Sequence, residues 1–262
     1  RGYDSAGIAI RNEDTGDITV VKAKGRLKIL SEKTNEGHAV PGTCGIGHTR
    51  WATHGEPSEN NAHPHCTDDK SVVLVHNGII ENYKQIKDFL VEEGYSFVSE
   101  TDTETVAKLL DYYYVDDPVD TIIKVLAEIK GSYALGIMFR DYPDTVFAVR
   151  KESPLIVGVG ENENFLASDV PAIIKYTRDY YLLEANEIAV VKKDSVQIYD
   201  MHKEPVHKEI NTADWDVDAA EKGGYEHFML KEIHEQPAAV RDTVSPRITV
   251  SYTHLTLPTN SL

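Results

Sequence analysis

Residues 71–78, Ser-Val-Val-Leu-Val-His-Asn-Gly, contain the segment that decides the fold. Val72–Val75 form an apolar run without polar alternation, which is typical of a buried strand. The run then gives way to a histidine, an asparagine and a glycine. We therefore predict a central strand at Ser71–His76, and we expect polar groups that can do chemistry where it ends.

On the C-terminal side of this strand, the spacing of apolar residues changes to that of helices. Tyr83–Leu90 has this spacing, and Gly94 is the expected C-terminal stop. Thr101–Glu104 has the capping-box pattern and is followed by apolar residues at helical spacing. Asp-Pro at 117–118 predicts another helix start, because proline fits the first helical position.

Strand patterns occupy the regions on either side of these helices. Towards the N-terminus, Ser5–Ile10 and Ile18–Val21 predict a hairpin, Leu27–Ser31 a short helix and Gly45–Trp51 a strand. Towards the C-terminus, short strands are predicted at Tyr133–Phe139, Thr145–Val149, Pro154–Val159, Asn164–Ala167, Tyr180–Leu183, Ile188–Val191 and Ser195–Ile198. A short helix near Val170–Lys175 interrupts them. Hairpin-length connections favour antiparallel sheets, and two sheets stacked between helices satisfy this order.

The composition excludes several classes of protein. The chain has 262 residues, with 27 Lys and Arg against 43 Asp and Glu, so its net charge is −16. No basic run offers a footprint for nucleic acid, and no stretch approaches the roughly 18 apolar residues that span a bilayer. We therefore expect neither a nucleic-acid nor a membrane partner. Because only Cys44 and Cys66 are present, we exclude a disulfide scaffold and predict a reducing, cytoplasmic setting.

Three segments concentrate polar residues where apolar ones would be expected: His48–Gly55, His76–Gly78 and Thr101–Glu104. Loops at the ends of scaffold strands are common locations for functional sites. Arg50 offers a planar fork for a carboxylate, and Asp102 offers a counter-charge for an ammonium group. Such a pair at opposite ends of a small pocket predicts a grip on an α-amino acid.

Asn77 and the backbone N–H of Gly78 can donate two hydrogen bonds to one oxyanion. Each of these residues also has a simpler interpretation. Asp102 suits any helix N-terminus, and Asn77-Gly78 suits an ordinary turn. Arg50 suits a surface ion pair, and Trp51 is of a type found more often in a core than against a ligand.

A further interpretation is a zinc site, because histidine and cysteine are the ligands that zinc prefers. The candidate ligands are His48, His54, His63, His65 and Cys66. Their spacing matches no familiar zinc pattern, so we predict that the protein holds no metal.

Several long motifs, in matching order, resemble the glutaminase domain of the glutamine–fructose-6-phosphate aminotransferase (isomerising) family, a class II glutamine amidotransferase domain. These motifs are Arg1–Gly7, His48–Ser58, Ala62–His65, Val75–Asn82, Ser99–Glu104 and Lys231–Pro237. The resemblance covers roughly residues 1–248. It implies an α+β fold of the N-terminal nucleophile hydrolase type, a four-layer α/β/β/α sandwich of two antiparallel sheets between helices, with the first strand missing from this chain.

The resemblance also implies an activity, which is the hydrolysis of glutamine to glutamate and ammonia without a cofactor. In the intact enzyme, the ammonia passes through an internal channel to fructose-6-phosphate, which binds to a C-terminal half, and the product is glucosamine-6-phosphate. A homo-oligomer is implied for the full-length protein. Two alternatives stay open: the glutaminase domain of another class II amidotransferase, such as the purine-pathway phosphoribosyl enzyme, or a glutamine-binding module without catalysis.

The family's substrate contacts carry over to matching positions. Arg50 would hold the α-carboxylate of glutamine, with Thr53 and His54 nearby, and Asp102 would hold its ammonium group. Asn77 and Gly78 would form the oxyanion hole. Trp51 would lie near the ammonia exit, and Arg1 would lie beside the nucleophile.

The family's nucleophile is a cysteine at the very N-terminus, whose free α-amine acts as general base with a pKa of about 7.7–8.0. That cysteine would lie upstream of Arg1, and neither Cys44 nor Cys66 carries a free α-amine. We therefore expect this chain to be truncated and inactive as it stands, with Cys44 packed inside. We assign 1–199 to the glutaminase domain, 200–248 to a linker and the start of the sugar isomerase half, and 249–262 to an adapter-derived artefact.

Overall fold

The computed structural model describes residues 4–51, 55–214 and 223–245. They fall into two units, the first ending at Ala213 and the second beginning at Asp214. In the described part of the chain, no helix has the length and apolar character needed to cross a membrane.

The first unit is built from short strands and four helices within its described residues. Its strands are β1 (Ser5–Arg11), β2 (Ile18–Lys24), β3 (Cys44–Arg50), β4 (His65–Cys66), β5 (Val72–Ile80), β6 (Gly131–Phe139), β7 (Thr145–Lys151), β8 (Ile156–Val159), β9 (Asn164–Ala167), β10 (Asp179–Leu182), β11 (Ile188–Lys192), β12 (Val196–Tyr199) and β13 (Asn211–Thr212). Its helices are α1 (Leu27–Lys33), α2 (Tyr83–Glu92), α3 (Asp102–Tyr113) and α4 (Pro118–Glu128), with a 3-10 turn at Val170–Ala172.

A six-stranded antiparallel sheet, in the order β12-β11-β7-β6-β5-β4, forms the centre of this unit. The two faces of β5 divide the apolar residues between them. Val72 and Leu74 pack with α2, α3 and α4, whereas Val73 and Val75 face the remaining strands. Full burial of each such side chain contributes about 1.5–3 kcal/mol.

The remaining strands form a second layer in two separate pieces. One piece has the order β2-β1-β3, and the other has the order β13-β10-β8-β9. The first packs on the six-stranded sheet through Ala9 and Ile46, and α1 covers its outer side through Leu30. The predicted arrangement of two antiparallel sheet layers between helices is therefore confirmed, with the second layer divided.

The prediction for the end of β5 was wrong. The strand continues to Ile80 instead of ending at His76, because β6 pairs with it along its whole length, with Asn77 opposite Ala134. The interpretation of Asn77-Gly78 as a turn fails for the same reason. Such pairing depends on a partner far along the chain, so the local apolar pattern does not contain it.

The helix starts follow the predicted capping chemistry in part. The Thr101 hydroxyl accepts a hydrogen bond from the backbone N–H of Glu104, as a capping box requires. The Glu104 carboxylate, however, accepts from the backbone N–H groups of Val98 and Ser99 and does not close the box. Asp117 caps α4 by accepting from the backbone N–H of Val119 at 2.8 Å.

Residues 200–213, which were predicted to lie in a linker, belong to the first compact unit. They do so because β13 adds to the edge of β10, with Thr212 opposite Asp179, and because Ala213 is buried. The second unit contains the helix α5 (Phe228–Val244). The segment 249–262, predicted to be an artefact, lies outside the described residues.

Candidate active site

A cavity of about 730 Å³ lies between the two pieces of the second sheet layer. Its described walls come from Gly45–Trp51 on and after β3, Val75–Gly78 on β5, Thr101–Thr103 at the start of α3, and Asn164–Ser168 on and after β9. In the described part of the chain, β3 and β9 are each the last strand of their sheet on this side. The cavity therefore occupies a gap between two sheet edges, with β5 on one wall.

Arg50 forms one buried wall of this cavity, with only 5% of its surface exposed. Its guanidinium donates to the backbone carbonyl of Gly55 at 3.1 Å and to that of Glu56 at 3.5 Å. Burial lowers the pKa of Arg50, and the charges of Asp4 and Asp102 act in the opposite direction. Arginine stays protonated in proteins, so this group presents a fixed positive charge.

Asp102 lies at the first position of α3 and lines the same cavity, with 6% of its surface exposed. Its Oδ2 atom accepts a hydrogen bond from the backbone N–H of Ile80 at 2.8 Å. The helix N-terminus favours a negative charge here. The two interpretations of Asp102 are therefore compatible, since one carboxylate occupies the helix start and also faces the cavity.

Asn77 and Gly78 lie on β5 where it passes the cavity. Gly78 has φ +128°, and a Cβ atom there would lie 2.1 Å from the carbonyl oxygen of Ser132. Only glycine fits this backbone and this close approach. The Asn77 Oδ1 atom lies 2.8 Å from His48 Nε2.

The remaining predicted site residues have mixed outcomes. Trp51 lines the cavity and is 78% exposed, so the alternative interpretation of Trp51 as a core residue fails. It follows the last residue of β3, where the chain leaves the sheet, so none of the described strands pairs beside it. Thr53, His54 and Arg1 lie outside the described residues.

His63 and His65, two of the histidines considered as zinc ligands, take part in hydrogen bonds. His63 Nδ1 accepts from the backbone N–H of His76 at 3.3 Å, and His65 Nε2 lies 3.0 Å from the Thr101 hydroxyl. Burial lowers the pKa of both His63 and His65 well below the ordinary value. Within the described ranges, no group of three or more His, Cys, Asp or Glu side chains is arranged to hold a metal ion.

The two cysteines are unsuited to nucleophilic attack. Burial, reinforced by Asp144, raises the pKa of Cys44 to about 11. Burial also raises the pKa of Cys66. Cys44 is half-buried against Ile46 and its neighbours, and neither thiol is among the described residues that line the cavity.

Local sequence patterns do not indicate the residue that supports the Arg50 wall. Asn61 donates from Nδ2 to the carbonyl of Glu56 at 2.9 Å and accepts at Oδ1 from the backbone N–H of Glu100 at 2.9 Å. Asn61 thereby connects two segments. One is the loop whose carbonyl groups bind Arg50, and the other is the segment that precedes α3. A polar residue in a loop carries no local pattern for a partner 39 positions away.

The sequence of this chain matches a known domain family and several named proteins. The sequence model of the family described as "Glutamine amidotransferase domain" matches residues 48–175. Glutamine–fructose-6-phosphate aminotransferase [isomerizing] from Caldanaerobacter subterraneus subsp. tengcongensis is 59% identical over 248 residues, which are 95% of this chain and 40% of that protein. The protein of the same name from Clostridium acetobutylicum is 55% identical, and the match again covers 95% of this chain and 40% of that protein.

Solved structures give a consistent result for the fold. The glutamine phosphoribosylpyrophosphate amidotransferase of B. subtilis has a TM-score of 0.65 at 26% identity, with 76% of this chain and 43% of that chain covered. A glutamine aminotransferase class-II domain protein of Silicibacter pomeroyi has a TM-score of 0.56 at 14% identity, with 75% and 91% covered, and supports the fold alone.

The chain spans about 40% of the length of these curated relatives. The similarity covers nearly the whole sequence, and the matched domain contains Arg50, Asn77, Gly78 and Asp102. The chain contains a glutamine amidotransferase domain and is similar, over 95% of its length, to glutamine–fructose-6-phosphate aminotransferases.

Proposed function

We propose that this domain binds L-glutamine and, when the family's N-terminal cysteine is present, hydrolyses it to glutamate and ammonia. In the intact protein, the ammonia passes to fructose-6-phosphate and yields glucosamine-6-phosphate. One observation carries the proposal: Arg50, Asp102 and the Asn77-Gly78 pair line the same cavity.

The opposite charges of Arg50 and Asp102 are suited to the two charged groups of an α-amino acid. The guanidinium binds the α-carboxylate, and the Asp102 carboxylate binds the α-ammonium group. Both side chains are nearly fully buried, so their attraction for the ligand is less screened than it would be at the surface. Thr53 and His54 complete the carboxylate contacts in this proposal.

The Asn77-Gly78 pair lies at the reactive end. When a thiolate attacks the side-chain amide carbon of glutamine, the carbonyl oxygen gains negative charge. The Asn77 amide N–H and the Gly78 backbone N–H donate to that oxygen in the transition state. In this proposal, Trp51 serves the exit for ammonia, and Arg1, which is outside the described residues, would act beside the nucleophile.

The nucleophile is proposed to lie upstream of Arg1, with its α-amine as base. Cys44 and Cys66 are not alternatives, because their thiols have raised pKa values and are absent from the described cavity wall. We therefore propose that hydrolysis depends on that upstream cysteine and not on Cys44 or Cys66.

A second candidate is a phosphoribosyl amidotransferase domain, which the structural similarity to the B. subtilis enzyme favours. The identity of 59% to the sugar aminotransferase, against 26% to the phosphoribosyl enzyme, favours the first proposal. A glutamine-binding module without catalysis is the remaining alternative.

The test compares three chains: the present one, one extended upstream to Met-Cys-Gly with the methionine removed, and the same extension with that cysteine changed to serine. We expect glutamate release from the cysteine extension alone. Calorimetry should detect glutamine binding in all three. A cysteine extension that binds glutamine without cleaving it would support the binding-module alternative, and absence of binding in all three would contradict the site itself.

A further inference from the structure

The side chain of Asn77 is held by a residue from the other sheet layer. His48 lies on β3 and Asn77 lies on β5, and His48 Nε2 is 2.8 Å from Asn77 Oδ1. An amide oxygen has no proton to donate, so the imidazole nitrogen must be the donor. This contact therefore requires a proton on Nε2 of His48.

A second histidine packs against the His48 ring. His63 stacks on His48, with ring centroids 4.3 Å apart and an angle of 22° between the planes. His63 Nδ1 accepts from the backbone N–H of His76, so that nitrogen carries no proton. Burial lowers the pKa of His48, and Arg50 lowers it further, while the hydrogen bond to Asn77 and the charge of Asp4 act in the opposite direction. His48 is thus a neutral ring with a single proton to place.

The other nitrogen of His48 is consistent with this assignment. His48 Nδ1 is buried and has no hydrogen-bond partner within the described residues. An N–H group in that position would be a buried donor without an acceptor, which is more costly than a bare ring nitrogen. The proton therefore belongs on Nε2, where Asn77 accepts it.

We propose that His48 is a positioning residue that fixes the Asn77 carboxamide with its oxygen towards the imidazole and its NH2 group towards the oxyanion. This inference rests on the proposed glutaminase function. The oxygen and nitrogen of a carboxamide point in opposite directions, so binding one of them determines where the other points. A reversed amide would present its oxygen to the developing negative charge and would oppose catalysis.

The first test needs only the present chain. Two-bond ¹H–¹⁵N spectra of uniformly ¹⁵N-labelled protein at pH 7 report the tautomer of each imidazole, and His48→Gln identifies the His48 signals by their loss. We expect the neutral Nε2–H form. A neutral Nδ1–H form, or a protonated ring, would overturn the inference independently of any activity.

The second test uses the cysteine-extended chain. His48→Phe keeps an aromatic ring to stack on His63 but removes the donor, so kcat should fall by about 10- to 100-fold. KM for glutamine should change by less than about twofold, because the grip on the α-carbon groups is intact. His48→Gln restores a side-chain N–H and should recover most of the lost kcat.

The matched control is His65→Phe, which removes a buried imidazole that contacts Thr101 instead of Asn77. The His65→Phe variant should not show a fall in kcat with an unchanged KM. An unchanged kcat in His48→Phe, or an equal loss in His65→Phe, would overturn the inference. If the unsubstituted extended chain leaves glutamine intact, the proposed function fails, while the tautomer still decides the orientation of Asn77. If His48→Phe does not fold, His48→Gln and the spectra decide.

Discussion

The two faces of the six-stranded sheet differ in how completely they are covered. On the helical face, Leu74, Leu135 and Phe139 are fully buried beneath α2, α3 and α4. On the opposite face, the second layer leaves a gap of about 730 Å³ with Arg50 and Asp102 on its walls. The comparison indicates that the helical face supplies stability, while the other face keeps an opening in which polar groups can meet a ligand.

The largest expected effect concerns the helical face of the six-stranded sheet, which we call the closed face. Leu74→Ala removes a fully buried side chain from the helical face and should lower the free energy of unfolding by about 2–5 kcal/mol. Urea unfolding measures this change. Glutamine affinity should be unaffected in the fraction that stays folded, and a specific loss of affinity would show that the two faces are not separable.

The next effect concerns the opposite face of the sheet, which borders the cavity and which we call the open face. Asp102→Asn keeps the shape of the side chain and removes its charge, so glutamine should bind about 30- to 100-fold more weakly. Calorimetry measures the affinity, and thermal unfolding without ligand serves as the control for folding. An unchanged affinity would remove Asp102 from the site.

A substitution at Gly78 should affect both stability and chemistry. Gly78→Ala places a Cβ atom 2.1 Å from the Ser132 carbonyl oxygen at φ +128°, so we expect a loss of about 1–3 kcal/mol of stability. In the cysteine-extended chain, kcat should fall with it. The neighbouring substitution Ile79→Ala, at an exposed position of the same strand, is the matched control for stability. Equal stability in the two variants would contradict the backbone strain expected from a side chain at position 78.

The smallest effect concerns pH. The folded protein keeps His63 neutral, because burial lowers its pKa well below the ordinary value near 6.5, whereas the unfolded chain takes up a proton below that pH. Stability is therefore fully present above pH 6.5 and decreases as the pH falls. Between pH 6.5 and 5, His63 should account for about 1–2 kcal/mol of the loss.

His63→Asn can keep an acceptor for the His76 backbone N–H but cannot titrate. Its stability should depend less on pH over this range than that of the unsubstituted chain. Urea unfolding at pH 7, 6 and 5 measures the difference, and parallel curves for the two chains would contradict the assignment.

The closed face was largely predictable from the sequence, and the open face only in part. Apolar runs and helix-start chemistry are local, which is why β6 ends at the predicted Phe139 and α4 begins at Pro118. The short strand β4 was missed, because its two residues form a strand only by pairing with β5. Polar groups of the site were identified by type, but their supports, such as Asn61, depend on contacts between distant segments.

Binding by the two buried charges is tested most directly by comparing ligands on the present chain. Calorimetry should show that L-glutamine binds at least about tenfold more tightly than glutaramate, which lacks the α-ammonium group, or 4-aminobutanamide, which lacks the α-carboxylate. The Asp102→Asn variant should lose its preference for glutamine over glutaramate but keep its preference for glutamine over 4-aminobutanamide. Equal affinity for all three ligands, or no binding of glutamine, would contradict the assignment of Arg50 and Asp102 to the two ends of a bound amino acid.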